Sequence, residues 1–170
     1  LVNAQKADSQ DICFVPDGDY VSFLRRYGGV EPVPGDFVDA CGRVLGRHRG
    51  LECYTIAQRK GLGISAATPL YVLRKDLDQG TVVLGEDCAL YTRELFAEHV
   101  NWISGAAPEG ETAVTAKTRY SQREASALVR SLPDGRTQVT FRDPQRAITP
   151  GQAVVFYDGE QVLGGGTICV

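Results

Sequence analysis

Turn signals recurring through the C-terminal half, Pro133-Asp134-Gly135, Pro150-Gly151 and Asp158-Gly159, constrain this chain more than any other feature, because they leave only short segments between them. Segments 96–103, 112–120, 126–132, 137–141, 152–157 and 161–163 read as strands, with a polar loop over 104–110 after the first. Short strands at this cadence predict a small closed or nearly closed antiparallel barrel. Gly164-Gly165-Gly166, inside the last strand pattern, predicts a bulge or a close approach of two backbones.

The N-terminal half reads differently. Tyr20, Phe23, Leu24 and Tyr27 fall at helical spacing, with Asp19 placed to accept from first-turn amides and Gly28-Gly29 placed to end the helix. Arg25 and Arg26 take its wet side. Pro32 and Pro34 make the following stretch an extended connector. Apolar pairs 37–38 and 44–45 flank a turn with Gly42 in the left-handed position, and runs 70–73 and 81–84 bracket a second turn over 76–80. A change of composition at 86–89 marks a boundary. The expected fold is therefore mainly β: a small central α+β domain over 19–88 and a C-terminal antiparallel β-barrel over 89–170.

Composition removes several classes. A hydrophobic content of 43% is that of a globular chain, no apolar run is long enough for a bilayer, and the first residues lack the pattern of a secretion signal. No membrane partner and a cytoplasmic location are the expectations. The five cysteines are odd in number, without a C-x-x-C pair, and only two histidines accompany them, so neither a metal centre nor a disulfide framework is expected. The absence of methionine predicts a processed product or an excised or engineered piece. A net charge of −3 argues against indiscriminate polyanion binding but leaves room for a local basic surface.

Two places carry chemistry. Cys13 sits between Asp8, Ser9, Gln10 and Asp11 on one side and Phe14-Val15 on the other; it is either a small buried hydrophobe or a reactive thiol. In segment 112–120, alternation puts Val114, Ala116 and Thr118 on one face and Thr115, Lys117 and Arg119 on the other, with Tyr120 closing the strand beside them. Two cations and an aromatic at a barrel rim suit an unpaired RNA loop, the cations meeting phosphates and the phenol stacking on a base. An exposed strand edge protected by charge explains the same pattern. A further basic concentration, Arg47-His48-Arg49 with Arg59 and Lys60, reads equally as a solvated loop, and Gly61-Leu62-Gly63 lacks the context of a phosphate loop.

Several longer stretches resemble the C-terminal half of the tRNA-specific 2-thiouridylases: Ser9-Gln10-Asp11-Ile12-Cys13-Phe14, Gly46-Arg47-His48-Arg49-Gly50, segment 54–64, Lys117-Thr118-Arg119-Tyr120, segment 148–157 and Leu163-Gly164-Gly165-Gly166. The resemblance implies an enzyme that replaces an oxygen of the wobble uridine by sulfur after ATP adenylates that oxygen. It places Cys13 on the second catalytic cysteine, which carries the incoming sulfur as a persulfide and then closes a disulfide with a partner cysteine. It makes residues 1–18 the tail of a catalytic domain whose ATP loop and first cysteine are not in this sequence. Mg-ATP belongs to that domain, and no cofactor is expected on this chain, which alone is expected to be inactive. Arg119, Tyr120 and Gln152 fall on tRNA contacts, with Lys117, Arg59 and Lys60 as companions, and the barrel is expected to be of the elongation-factor type. Implied partners are the anticodon arm of tRNA, a sulfur-donor protein and the N-terminal ATP-loop domain. Asp8 and Asp11 would raise the Cys13 pKa, so a cation from elsewhere must favour the thiolate.

Two rivals remain: a non-catalytic β-barrel module that binds RNA or protein with Cys13 merely packed in, and a small thiol-redox protein, which lacks a second cysteine close in sequence.

Overall fold

The computed structural model describes residues 20–29 and 31–169. Cys13 and its neighbours, including the capping role expected of Asp19, lie outside the described residues.

Helix α1 (Tyr20–Gly28) ends where Gly29 turns to a φ of 61°, as its sequence predicts. Its arginines are exposed and the Phe23 and Tyr27 rings lie 4.8 Å apart, but Tyr27 remains 70% exposed, so the predicted apolar stripe is only partly covered. The two predicted hairpins form: β1 (Gly35–Val38) with β2 (Val44–His48) around Gly42 at φ 81°, and β3 (Tyr71–Asp76) with β4 (Thr81–Gly85). They join into one sheet ordered β2-β1-β4-β3 through a parallel pairing of Phe37 with Val82 and Val38 with Val83. A parallel pair needs a long crossover. Much of it is the irregular stretch after β2, which delivers Tyr54 and Leu62 to a core of Phe37, Val72, Val82 and Leu84.

His48 corrects the basic reading of Arg47-His48-Arg49. Its ring is 2% exposed, lies against Phe37 and Tyr54, donates through Nε2 to the Gly80 carbonyl at 3.0 Å, and accepts from the Gly50 amide at Nδ1. Arg47 pairs with Asp36 at 3.7 Å. His48 thus packs in the core of the sheet, while Arg47 and Arg49 stay exposed. A Cβ on Gly35 would lie 2.2 Å from the Gly80 carbonyl and 2.7 Å from the His48 ring, so the strand passes at a distance only glycine allows.

The second half is a closed six-stranded barrel of β5 (Tyr91–Trp102), β6 (Glu111–Lys117), β7 (Ala125–Ser131), β8 (Thr137–Arg146), β9 (Ala153–Asp158) and β10 (Gln161–Cys169), in the order β10-β5-β8-β7-β6-β9. Every neighbouring pair is antiparallel. Inward-facing Leu95, Val114, Val129, Val139, Phe141 and Phe156 fill it. Strands β5, β8 and β10 run longer than the turn signals suggest, because register shifts near Arg93, near Leu163 and near Gly166 let them bend instead of stopping. The glycine triplet serves both predicted purposes: it borders two of these shifts, and a Cβ on Gly164 would stand 2.5 Å from the Asn101 carbonyl.

Sheet and barrel meet at the 3-10 turn Asp87–Leu90. Arg146 Nη2 lies 2.7 Å from Asp87 Oδ1 and its guanidinium stands over the Tyr71 ring at 5.5 Å. The hydrogen bond to Asp87 raises the Arg146 pKa above its ordinary value. One residue further on, the Ala147 amide donates to the Leu90 carbonyl at 2.7 Å. Among the described residues no helix is long and apolar enough to cross a membrane.

Candidate nucleic-acid interface

Strand β6 follows the predicted alternation: Val114 and Ala116 point into the barrel, with Thr118 buried just past the strand's end, while Thr115 and Lys117 point out. The expected strand over 112–120 stops at Lys117, and Arg119 and Tyr120 stand in the loop that leaves it. That loop turns back through a Gln122 amide to Arg119 carbonyl bond of 3.2 Å. The rival explanation, a protected strand edge, does not hold. In the closed barrel β6 pairs with β7 on one side and β9 on the other, so it has no edge to protect.

The β6–β9 pairing sets Lys117 opposite Val155 and Thr115 opposite Tyr157, and so brings two stretches separated in sequence into one groove. Lys117, Arg119, Tyr120, Gln152, Val155 and Tyr157 line it, and it encloses about 620 Å³. Tyr120 is 89% exposed, its ring offered to solvent. Lys117 is half-buried, 3.5 Å from Glu124 and with its ammonium 5.5 Å from the Tyr157 ring, so part of its charge is balanced locally. Arg119 differs. It spends Nη2 on the Ala147 carbonyl at 2.8 Å, which fixes the plane of the guanidinium and leaves its remaining donors for an anion.

Two buried supports hold this loop. Ala147 adopts a left-handed φ of 56° and is 3% exposed; this places its carbonyl toward Arg119, where it also accepts from Thr149 Oγ1 at 3.0 Å. A non-glycine residue keeps that conformation only where its surroundings impose it. Beside it runs a chain of side-chain bonds: Thr118 Oγ1 donates to Gln122 Oε1 at 2.8 Å, Gln122 Nε2 to Gln145 Oε1 at 2.6 Å, and Gln145 Nε2 to the Asp143 carbonyl at 2.7 Å. Replacing Gln145 by leucine leaves the Gln122 amide and the Asp143 carbonyl unpaired. Gln145→Leu is expected to cost about 1–3 kcal/mol, read as a lowered thermal midpoint. An unchanged midpoint would mean the network adds nothing to the loop.

Arg59 and Lys60 sit apart from this groove. Both are exposed, in the loop before Gly61, where Arg59 borders a smaller hollow of about 390 Å³ with Gly61, Leu62 and Gly63. Tyr157, Gln122, Gln145 and Ala147 escaped the sequence reading. Tyr157 was within reach, since it shares the outward parity of Val155 on β9; the glutamines and Ala147 carry no local signal. Among the described residues Cys41 and Cys88 are exposed, Cys53 and Cys169 half-buried, and all four are free thiols.

Two family models match the chain. Residues 21–86 match the tRNA methyl transferase PRC-barrel domain and residues 92–168 the aminomethyltransferase beta-barrel domain. The chain is 52% identical over 168 residues to the tRNA-specific 2-thiouridylase MnmA of Acetivibrio thermocellus, covering 99% of this chain and 47% of that protein. It is 52% identical over 163 residues to the MnmA of Magnetococcus marinus, covering 96% and 46%, and 53% identical over 165 residues to MnmA 2 of Caldanaerobacter subterraneus, covering 97% and 45%. The chain thus spans a little under half the length of these relatives.

Proposed function

Because the chain belongs to the tRNA-specific 2-thiouridylase family, as the C-terminal portion of such proteins, we propose that it supplies the tRNA-gripping surface and the sulfur-carrying cysteine of a wobble-uridine thiolation. The observation that supports the first role is the groove at the end of β6, where Arg119 and Tyr120 from the loop after β6 and Gln152 from the turn before β9 converge on the wall that β6 and β9 form. Arg119 and Lys117 meet phosphates, and the exposed Tyr120 ring stacks on an unpaired base. Gln152, next to the wall residue Ala153, offers an amide that can donate and accept toward a base edge.

The Cys13 thiolate takes the terminal sulfur of a donor persulfide, and the donor leaves as a thiolate. That terminal sulfur attacks C2 of a uridine whose oxygen carries AMP; the carbon–sulfur bond forms and AMP departs with the oxygen. A partner cysteine then attacks the Cys13 sulfur, a disulfide closes, and the electron pair of the broken bond stays on the sulfur now attached to C2. A dithiol reductant reopens the disulfide. ATP activation and the partner thiol belong to the portion of such enzymes outside this chain.

Arg119→Ala tests the groove. In this chain it is expected to weaken tRNA binding several-fold and to reduce the slope of log affinity against log salt by about 0.7–0.9, one phosphate contact. A salt slope equal to the parent's would remove Arg119 from the interface and with it the RNA reading of the groove.

A further inference from the structure

A second hollow of about 640 Å³ lies on the outer wall of the barrel across β6, β7 and β8. Ala113 and Thr115 of β6, Ser126 and Leu128 of β7 and Thr140 of β8 form its floor, and Arg93 and Arg142 stand at its border. Tyr157 lines both this hollow and the groove beside Lys117, so the two are continuous over one aromatic ring.

The arginines of the barrel divide into two sets. Arg119, Arg130, Arg136 and Arg146 are held by Ala147, Gln138, Asp134 and Asp87. Arg93, Arg123 and Arg142 are exposed and, among the described residues, have no ion pair or hydrogen bond through their guanidinium groups. Two of these three border the second hollow, and the third lies in the loop that carries Tyr120. Arg93 reaches the hollow because it occupies the register shift between Thr92 and Glu94, where β5 breaks step with β8. Asp158 also lines the hollow, and the exposed Asp143 follows Arg142; the lining itself carries two guanidinium groups against one carboxylate.

The geometry points to a second RNA subsite: this wall binds a further stretch of sugar-phosphate backbone that continues from the strand held in the Arg119 groove, with Arg93 and Arg142 on phosphates. The composition of the floor suits that ligand. Ala113 and Leu128 accept the apolar faces of riboses, and the Ser126 and Thr140 hydroxyls reach phosphate oxygens or 2′-hydroxyls. No base edge needs to be read there, so the subsite adds affinity and direction without sequence preference. This rests on the RNA reading of the Arg119 groove.

The test measures binding of an unmodified tRNA transcript bearing a wobble uridine across a series of salt concentrations, for the parent chain, Arg93→Ala/Arg142→Ala, Arg119→Ala and Arg74→Ala. Arg74 is an exposed residue of β3 that pairs with Asp76, and it controls for loss of a distant charge. The double variant is expected to lower the salt slope by roughly 1.4–1.8 and, at about 0.1 M salt, to weaken binding roughly thirtyfold, while Arg74→Ala changes neither. A double variant that binds as the parent does, with Arg119→Ala impaired, overturns the second subsite alone and leaves the wall to a protein. An equal loss in Arg74→Ala overturns it too, by showing only a general charge effect. If Arg119→Ala also binds as the parent does, the RNA reading of the whole barrel fails with it.

Discussion

Replacing Cys13 by serine in the full-length enzyme is expected to abolish formation of 2-thiouridine while tRNA affinity stays near that of the parent. The hydroxyl that replaces the thiol is not ionised near neutral pH and cannot accept a sulfane sulfur, so the persulfide never forms. Under the proposed roles binding is expected to survive, because the groove residues Arg119, Tyr120 and Gln152 are left untouched. Nucleoside mass spectrometry after digestion reads the product, and a filter-binding titration reads the affinity. Cys41 is exposed at the tip of the β1–β2 hairpin, Cys88 is exposed in the turn before β5, and Cys53 and Cys169 are half-buried. Under the proposed role, treatment with a persulfide donor is expected to label Cys13 ahead of all four, the two exposed thiols included. Thiolated tRNA from Cys13→Ser at the parent's rate would sink the assignment, and labelling spread evenly over the cysteines would favour a non-catalytic barrel.

The second large effect is on the scaffold. Phe156 is fully buried and its ring stacks on Trp102 at 5.3 Å and 20°. It is the inward neighbour of Val155 and Tyr157, which line the groove, so the residue that fills the core also sets the wall. Phe156→Ala is expected to cost about 3–5 kcal/mol, from lost burial and from a cavity that the closed sheet cannot collapse around. For a domain of this size that is a fall of at least about 12 °C in melting midpoint. A loss of tRNA binding should accompany it, since Lys117 and Val155 face each other only while β6 and β9 remain paired. A calorimetric midpoint within a few degrees of the parent's would show that Phe156 is not the centre of the barrel core.

Much of this architecture was legible in the residues. Periodicity found α1, both hairpins and each barrel strand, because these depend on neighbours in sequence. The outward parity of Lys117 was legible for the same reason. The ends of β5, β8 and β10 were not, since bulges let a strand continue past residues that would otherwise stop it. The burial of His48 was not legible either, whether as part of a basic concentration or of a solvated loop, because burial depends on what packs against a ring, here Phe37 and Tyr54.

The candidate site divides in the same way. Arg119, Tyr120 and Gln152 stood out through the resemblance, and the strand pattern independently placed two cations and an aromatic at one rim. Nothing local announced that Gln145 and Ala147 hold the Arg119 loop from beneath, or that Tyr157 joins two hollows.

By itself, then, the order of residues determined the kinds of element, which face of each strand is apolar, and the family to which the chain belongs. Those follow from short-range sterics, hydrophobic alternation and the identity of a few motifs. Tertiary structure alone decided the parallel contact of β1 with β4, the closure that leaves β6 without an edge, and the meeting of Lys117 with Val155 and Tyr157. These are contacts between residues far apart in the chain. They are selected by the packing of whole surfaces against one another, which no window of sequence contains.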